Sequence, residues 1–312
     1  MTKWFGLAFS AGCLVYFGIE AGKVLSNTRI AWSESAVLHA LPAASIPYLA
    51  AYSIQAFAWH LLLRAMGVEV PARRSMGIYF TTQIAKYLPG NVGQHVGRVY
   101  LSSANGLPAM RVGMSMIVEI VLAVLAACVL ALPLAPQVIA RVEHARASGF
   151  PLLGIVLVAL ACLSIAAYLF RRHRFLALLR EHAHSAWGHA NTMGGRRFLL
   201  AASALILLGV ILVGASLATL ATASVATITP SAIATSIAVF SAAWITGFLA
   251  PGAPAGLGVR EAILLAGLGP LFGAATAVEV AIFFRVLSVA ADLVALCAGS
   301  LLLRAPGRRV PT

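Results

Sequence analysis

Two segments of this sequence pair a Pro-Gly step with an arginine at the same spacing. The first reads KYLPGN from Lys86 and continues to Arg98, and the second reads PGAPAGLGVRE from Pro251 to Glu261. In both, the arginine follows the proline by nine positions, with two further glycines after the Pro-Gly step. Proline removes a backbone donor and glycine permits unusual dihedral angles, so each segment predicts a broken helix.

Broken helices of this kind predict an anion site. A helix that starts after a break directs free N–H groups at its N-terminal end, where anions bind. An arginine close by can hold a phosphate through two parallel hydrogen bonds. The alternative is a pair of ordinary helix kinks, but the matched spacing and the two arginines favour a site. The predicted substrate-binding residues are Lys86, Pro89, Gly90, Asn91, Arg98, Pro251, Gly252, Gly256, Gly258, Arg260 and Glu261.

The composition places these motifs in a membrane. Of 312 residues, 61% are hydrophobic and only 10% are charged, against about 25% charged in a typical soluble domain. The net charge of +13 comes from basic residues between long apolar runs, which excludes a cytosolic enzyme and does not suggest a nucleic-acid partner. The four cysteines lie inside apolar runs and there is one aspartate, so neither a metal site nor a cofactor is expected.

The apolar runs predict an all-α polytopic membrane protein that forms a single domain over residues 1–312. A membrane-spanning helix needs about 20 mostly apolar residues. Six full spans are expected, at 4–22, 41–63, 112–133, 151–170, 198–223 and 277–303. The broken stretches, 76–103 and 231–273, are interpreted as re-entrant hairpins, although eight or more spans would give the same orientation of every loop.

Basic residues predict the orientation in the membrane. With both broken stretches as hairpins, 14 Lys and Arg residues share one face and four lie on the other. The positive-inside rule then places both termini in the cytoplasm. The abundance of Ala and Arg suggests a high-GC bacterium, so the membrane is expected to be a bacterial inner membrane. The basic loop 171–197 predicts an amphipathic helix on the inner leaflet, and residues 304–312 form a cytoplasmic tail. The two hairpins would enter from opposite faces, as in an inverted repeat.

Several ionisable residues lie within the predicted spans, where they are rare and usually functional. Arg285 and Asp292 share one helical face with Ser288, and they could pair through water or each meet another helix. Glu119 could face Arg98 or Lys86, and Glu279 could pair with Arg260. For the carboxylates, a structural ion pair and a role in gating or proton coupling remain equal alternatives. The predicted coupling or gating residues are Glu119, Glu279, Arg285 and Asp292.

The same two motifs carry a family resemblance. The segment from Lys86 to Arg98 and the segment PGAPAGLGVRE are similar to those of the lysylphosphatidylglycerol synthase transmembrane family, which includes the flippase module of the multiple peptide resistance factors. This sequence inserts Ala253-Pro254-Ala255 into the family's second motif. The resemblance implies a protein that moves lipids between leaflets, without the synthase domain of the fused members.

Three functions remain open from the sequence. The first is a flippase for an anionic, phosphate-bearing lipid, such as a phospholipid or a polyprenyl phosphate. The second is an intramembrane enzyme in polyprenyl-phosphate or glycolipid synthesis, which the absence of familiar catalytic motifs argues against. The third is an accessory partner of a lipid synthase. Neither the headgroup, nor the energy source, nor the oligomeric state follows from the residues.

Overall fold

In the computed structural model, the described residues are 19, 22, 35–87, 92–134, 188–223, 225, 229–250 and 254–304. Every regular element among them is helical, which confirms the predicted all-α class. The predicted spans at 4–22 and 151–170, most of the 171–197 loop and nearly all of the tail lie outside these ranges.

The helices are numbered in chain order. Their bounds are α1 Ala36–Ala65, α2 Ala72–Thr82, α3 Gly93–Ala104, α4 Ala109–Ala131, α5 Met193–Ala221, α6 Pro230–Leu249, α7 Val259–Phe272 and α8 Ala274–Arg304. A 3₁₀ segment at Gln83–Tyr87 continues α2 up to the first Pro-Gly step, and another at Pro254–Gly256 precedes α7.

Within the described part of the chain, five helices are long and apolar enough to cross a membrane. They are α1, α4 with the turn that follows it, α5, α6 and α8. Four of them coincide with predicted full spans. The fifth, α6, is the first arm of the predicted hairpin at 231–273, and its 20 residues alone meet the length of a span.

Small residues let the helices pack closely. The Ser216 hydroxyl donates to the Ala44 carbonyl over 2.7 Å where α5 packs along α1. Where α8 crosses α2, a Cβ atom added at Gly299 would lie 2.6 Å from Thr81 Oγ1 and 2.9 Å from the Gly77 carbonyl oxygen. These crossings therefore depend on residues without bulky side chains, as is usual between membrane helices.

Three basic residues, from the starts of α2 and α4 and the end of α1, meet at one end of the molecule. Arg73 at the start of α2 donates to the Leu302 carbonyl near the end of α8, over 2.8 and 2.9 Å. Arg111 at the start of α4 donates to the Gly67 carbonyl over 3.0 Å, and Arg64 lies over the ring of Phe198 in α5. At the start of α1 and α8, the Ser35 hydroxyl instead donates to Glu279 over 2.6 Å.

Candidate functional site

Helix α8 provides a scale for the depth of both helix breaks. At 1.5 Å per residue this helix is about 46 Å long. Lys86, in the 3₁₀ segment before the first break, contacts Asp292, about 27 Å from the start of α8. Glu261, in the first turn after the second break, contacts Arg285, about 16 Å from the same start. Both breaks therefore lie near the middle of α8, and their 3₁₀ segments contact each other.

The first break is fixed to α8 through one buried carboxylate. Asp292 is fully buried and accepts hydrogen bonds from Lys86 Nζ at 2.7 Å, from the Tyr87 hydroxyl at 2.7 Å and from the Tyr52 hydroxyl. Lys86 also donates to the Tyr52 oxygen over 3.0 Å. A buried carboxylate needs donors of this kind in place of water. This cluster therefore joins α1, the 3₁₀ segment and α8.

Arg98, which follows the first break on α3, is paired and enclosed. Its guanidinium donates to Glu119 over 2.5 Å, and the side chain is only 2% exposed. The guanidinium carbon also lies 5.0 Å from the centre of the Trp59 ring and 4.3 Å from that of Tyr79, within the range of cation–π attraction. Of the two partners that the sequence allowed for Glu119, the structure places it against Arg98.

The second break ends in a capped helix. The carboxylate of Glu261 accepts from the Gly258 N–H over 2.7 Å, so it satisfies one of the free donors at the start of α7. It also accepts from Arg285 Nε over 2.6 Å. Glu261 therefore lies where an anion would bind at this helix end, and Arg285 neutralises it.

Arg260 differs from the other cations of the site. Among the described residues it forms no ion pair and no hydrogen bond, and its Nε is buried without a partner. Its side chain lies against two glycines: a Cβ atom at Gly247 would be 2.6 Å from Arg260 Cγ, and one at Gly256 would be 2.8 Å from Arg260 Nε. Gly256 also has a φ of +69°, which an L side chain rarely adopts.

These groups surround one cavity with about 1400 Å³ of empty space, including its open mouth. Its charged lining residues are Lys86, Arg98, Glu119, Arg260, Glu261 and Arg285. Helices α5 and α6 contribute mainly apolar side chains, namely Ile206, Val210, Val213, Phe240, Ala243, Trp244 and Phe248. The cavity is therefore amphipathic, with a charged region at the two breaks and an apolar wall beside it.

A comparison with known protein families shows to which family this chain belongs. The family model described as the lysylphosphatidylglycerol synthase TM region matches residues 3–295. This chain belongs to that family. Membership, together with the five long apolar helices, makes it a multi-pass membrane protein with a lipid-related role. A search of the curated proteins found no match.

In this family member the structure also shows cavity residues that the sequence analysis did not single out. Tyr48, Tyr52 and Gln55 on α1 line the cavity, with Tyr79 and Gln83 beside the first break. The α1 residues were detectable, since spacings of four and three place them on one face of an otherwise apolar helix. Which neighbour that face meets is decided by packing between distant segments, which the sequence does not display.

Some of the predicted site residues do not line the cavity, and others lie outside the described residues. The pairing of Glu279 with Arg260 was wrong: Glu279 contacts Ser35 at the start of α8, whereas Arg260 lies at the cavity. Gly256 and Gly258 do not line the cavity, and they form the turn that positions Arg260 and starts α7. Pro89, Gly90, Asn91, Pro251 and Gly252 lie outside the described residues. Their roles in binding remain predictions.

Proposed function

We propose that this protein is a flippase that moves an anionic, phosphate-bearing lipid between the leaflets of a membrane. The amphipathic cavity supports this function because a lipid needs a charged region for its headgroup and an apolar wall for its chains. The substrate would bind with its phosphate at Arg260, beside the second break, and its chains along α5 and α6.

Arg260 is the observation that carries the proposal. Transfer of an unpaired charge into an apolar environment is costly, and ionisable groups in membrane helices usually pair or face a cavity. Arg260 has no charged partner among the described residues and points to a cavity that lies near mid-membrane depth on the scale given by α8. A lipid phosphate would supply the missing negative charge and accept its hydrogen bonds.

The arrangement of the two breaks supports alternating access. Helix α2 starts at the basic end of the molecule, and α4 starts there again after α3. Helix α7 ends at Phe272, directly before α8 starts at the opposite end. We interpret two helix pairs, α2 with α3 and α6 with α7, as re-entrant hairpins. They would enter from opposite faces and meet at the cavity, as inverted repeats do in transporters.

The proposal includes a location and an orientation. The protein would lie in the bacterial inner membrane with both termini in the cytoplasm, since the basic end would face the anionic inner leaflet. Membrane lipids are its proposed partners, and a lipid synthase could supply or consume the substrate.

Removal of the Arg260 charge should slow transport strongly. In liposomes that contain the purified protein, we expect labelled phosphatidylglycerol to cross between leaflets, measured by dithionite quenching of outer-leaflet label. Arg260→Gln should reduce the rate at least tenfold, because about 1.4 kcal/mol of lost binding already gives that factor. Arg260→Lys should retain part of the rate, since it keeps the charge and loses the bidentate geometry.

The matched control is Arg304→Gln, which makes the same change at an exposed residue at the end of α8. It should leave the transport rate unchanged. Wild-type rates in a folded Arg260→Gln variant would refute the proposed mechanism. Absence of movement for phosphatidylglycerol, its lysyl ester and polyprenyl phosphates would refute the flippase and favour an enzyme or an accessory subunit.

A further inference from the structure

We propose that the cavity selects a lipid whose headgroup carries one negative charge on a phosphodiester and otherwise only uncharged hydroxyl groups. Phosphatidylglycerol and a polyprenyl phosphoryl sugar share this chemistry. A headgroup that carries ammonium groups, such as an aminoacyl ester, would be disfavoured. The inference rests on the proposed function, because it assigns the substrate class of the same cavity.

Among the described residues, the charges around the cavity form three ion pairs and leave one cation unpaired. The pairs are Lys86 with Asp292, Arg98 with Glu119 and Arg285 with Glu261. Every carboxylate at the described part of the site is therefore already bound to a cation. Only Arg260 remains, so the site offers one positive charge to a ligand and no negative charge.

An ammonium group would need a carboxylate released from one of these pairs. Glu119 can be released only by leaving Arg98, which is 2% exposed, without a counter-charge. Release of Asp292 would leave Lys86 unpaired, and Glu261 also holds the Gly258 N–H at the start of α7. Breaking a buried pair is strongly unfavourable because one charge remains uncompensated. The paired carboxylates therefore act against a cationic headgroup.

The neutral polar residues of the cavity suit hydroxyl groups. Gln55, Gln83 and Gln94 line it, and their amides can both donate and accept hydrogen bonds. His95 lines it as well, and its Nδ1 is buried without a partner among the described residues. A glycerol or sugar hydroxyl both donates and accepts, so it can satisfy these groups without any charge.

A panel of lipids tests the selectivity in two ways. Binding to the purified protein is measured by native mass spectrometry in mixtures of phosphatidylglycerol, lysyl-phosphatidylglycerol, phosphatidylethanolamine and a polyprenyl phosphoryl sugar. Transport of each lipid is measured in liposomes. We expect phosphatidylglycerol or the phosphoryl sugar to bind and move at least tenfold better than the two lipids with ammonium groups. The faster of the two preferred lipids identifies which of these two lipids the cavity favours.

A charge variant tests the cause of the selectivity. Arg285→Gln frees one oxygen of Glu261 and makes the formal charge of the site zero. The preference for phosphatidylglycerol over its lysyl ester should fall at least tenfold in binding. Arg260→Lys should preserve the preference while it weakens binding, because the charges of the site are unchanged. The opposite result would be a loss of the preference in Arg260→Lys together with an unchanged ratio of phosphatidylglycerol to lysyl-ester binding in Arg285→Gln. It would show that charge pairing does not set the selectivity.

The outcomes separate this inference from the proposed function. Equal or stronger binding of lysyl-phosphatidylglycerol by the wild-type protein overturns the inference, whether or not transport occurs. Selective binding of phosphatidylglycerol or the phosphoryl sugar without any transport supports the inference and refutes the flippase. Loss of that binding in Arg260→Gln, together with unchanged binding in Arg304→Gln, assigns it to the cavity.

Discussion

Asp292 illustrates, at the scale of a single residue, how a charge in the membrane is stabilised and what it contributes. It accepts from a lysine and two tyrosines and has no exposed surface. Three donors replace the water that the carboxylate loses, and the lysine neutralises its charge. The same contacts hold the end of α2 against the middle of α8. This cluster is therefore both an ion pair and the attachment of a broken helix to an unbroken one.

Replacement of Asp292 should separate these contributions. Asp292→Asn keeps an acceptor oxygen for one of the two tyrosines, and it leaves Lys86 with a charge and no counter-charge. The free energy of unfolding in detergent should fall by about 3 to 5 kcal/mol, the usual cost of breaking a buried pair. Adding Lys86→Met should recover most of this loss, because the unpaired charge is then absent. Glu69→Gln, a change at an exposed carboxylate in the loop before α2, is the control and should be neutral. A stable Asp292→Asn single variant would show that the pair is not structural.

At the scale of the elements, the sequence predicted where helices lie far better than what they contact. Hydrophobic length alone placed α1, α4, α5 and α8 within a few residues, because a span must exceed a fixed length. The Pro-Gly steps predicted both breaks. Contacts depend instead on which helical faces meet, and this is decided by small residues far apart in the sequence. The pair Glu279–Arg260 was wrongly predicted for this reason, and the tyrosine face of α1 was missed.

The crossing of α8 and α2 gives a test at this scale. Gly299→Ala places a Cβ atom 2.6 Å from Thr81 Oγ1 and 2.7 Å from the Thr81 backbone nitrogen, so the helices must separate. Overpacking of this kind usually costs about 1 to 3 kcal/mol of unfolding free energy. Gly113→Ala on α4 is the matched control, since an added Cβ atom meets no described atom within 4 Å. The control should be neutral or stabilise by up to about 1 kcal/mol. Equal effects of the two substitutions would contradict the close crossing.

At the scale of the whole molecule, the two helix pairs approach the cavity from opposite ends. The break before α3 reaches α8 from the basic end, and the break before α7 reaches it from the end that holds Ser35 and Glu279. Each break lies near the middle of α8, where the two 3₁₀ segments contact each other. In the proposed mechanism both pairs are re-entrant, and this central site would open to either side in turn.

Cysteine accessibility tests both the orientation and the depth of the breaks. In a background without Cys13, Cys128, Cys162 and Cys297, single cysteines are labelled in intact and in permeabilised bacterial spheroplasts with a bulky, membrane-impermeant maleimide. Ser231→Cys at the start of α6 and Ala274→Cys at the start of α8 should react in intact spheroplasts. Ser103→Cys at the end of α3 and Glu69→Cys should react only after permeabilisation, because their loops would be cytoplasmic.

Val92 at the start of α3 decides between a hairpin and two short spans. Its side chain is 56% exposed, so a cysteine there is not shielded by the described residues. A re-entrant pair would leave Val92→Cys near mid-membrane depth, where the impermeant reagent does not reach it from outside. Two short spans would instead place it at the outer surface and give labelling in intact spheroplasts comparable to that of Ser231→Cys. Such labelling would remove the mid-membrane position of the first break, and with it the shared central cavity on which alternating access depends.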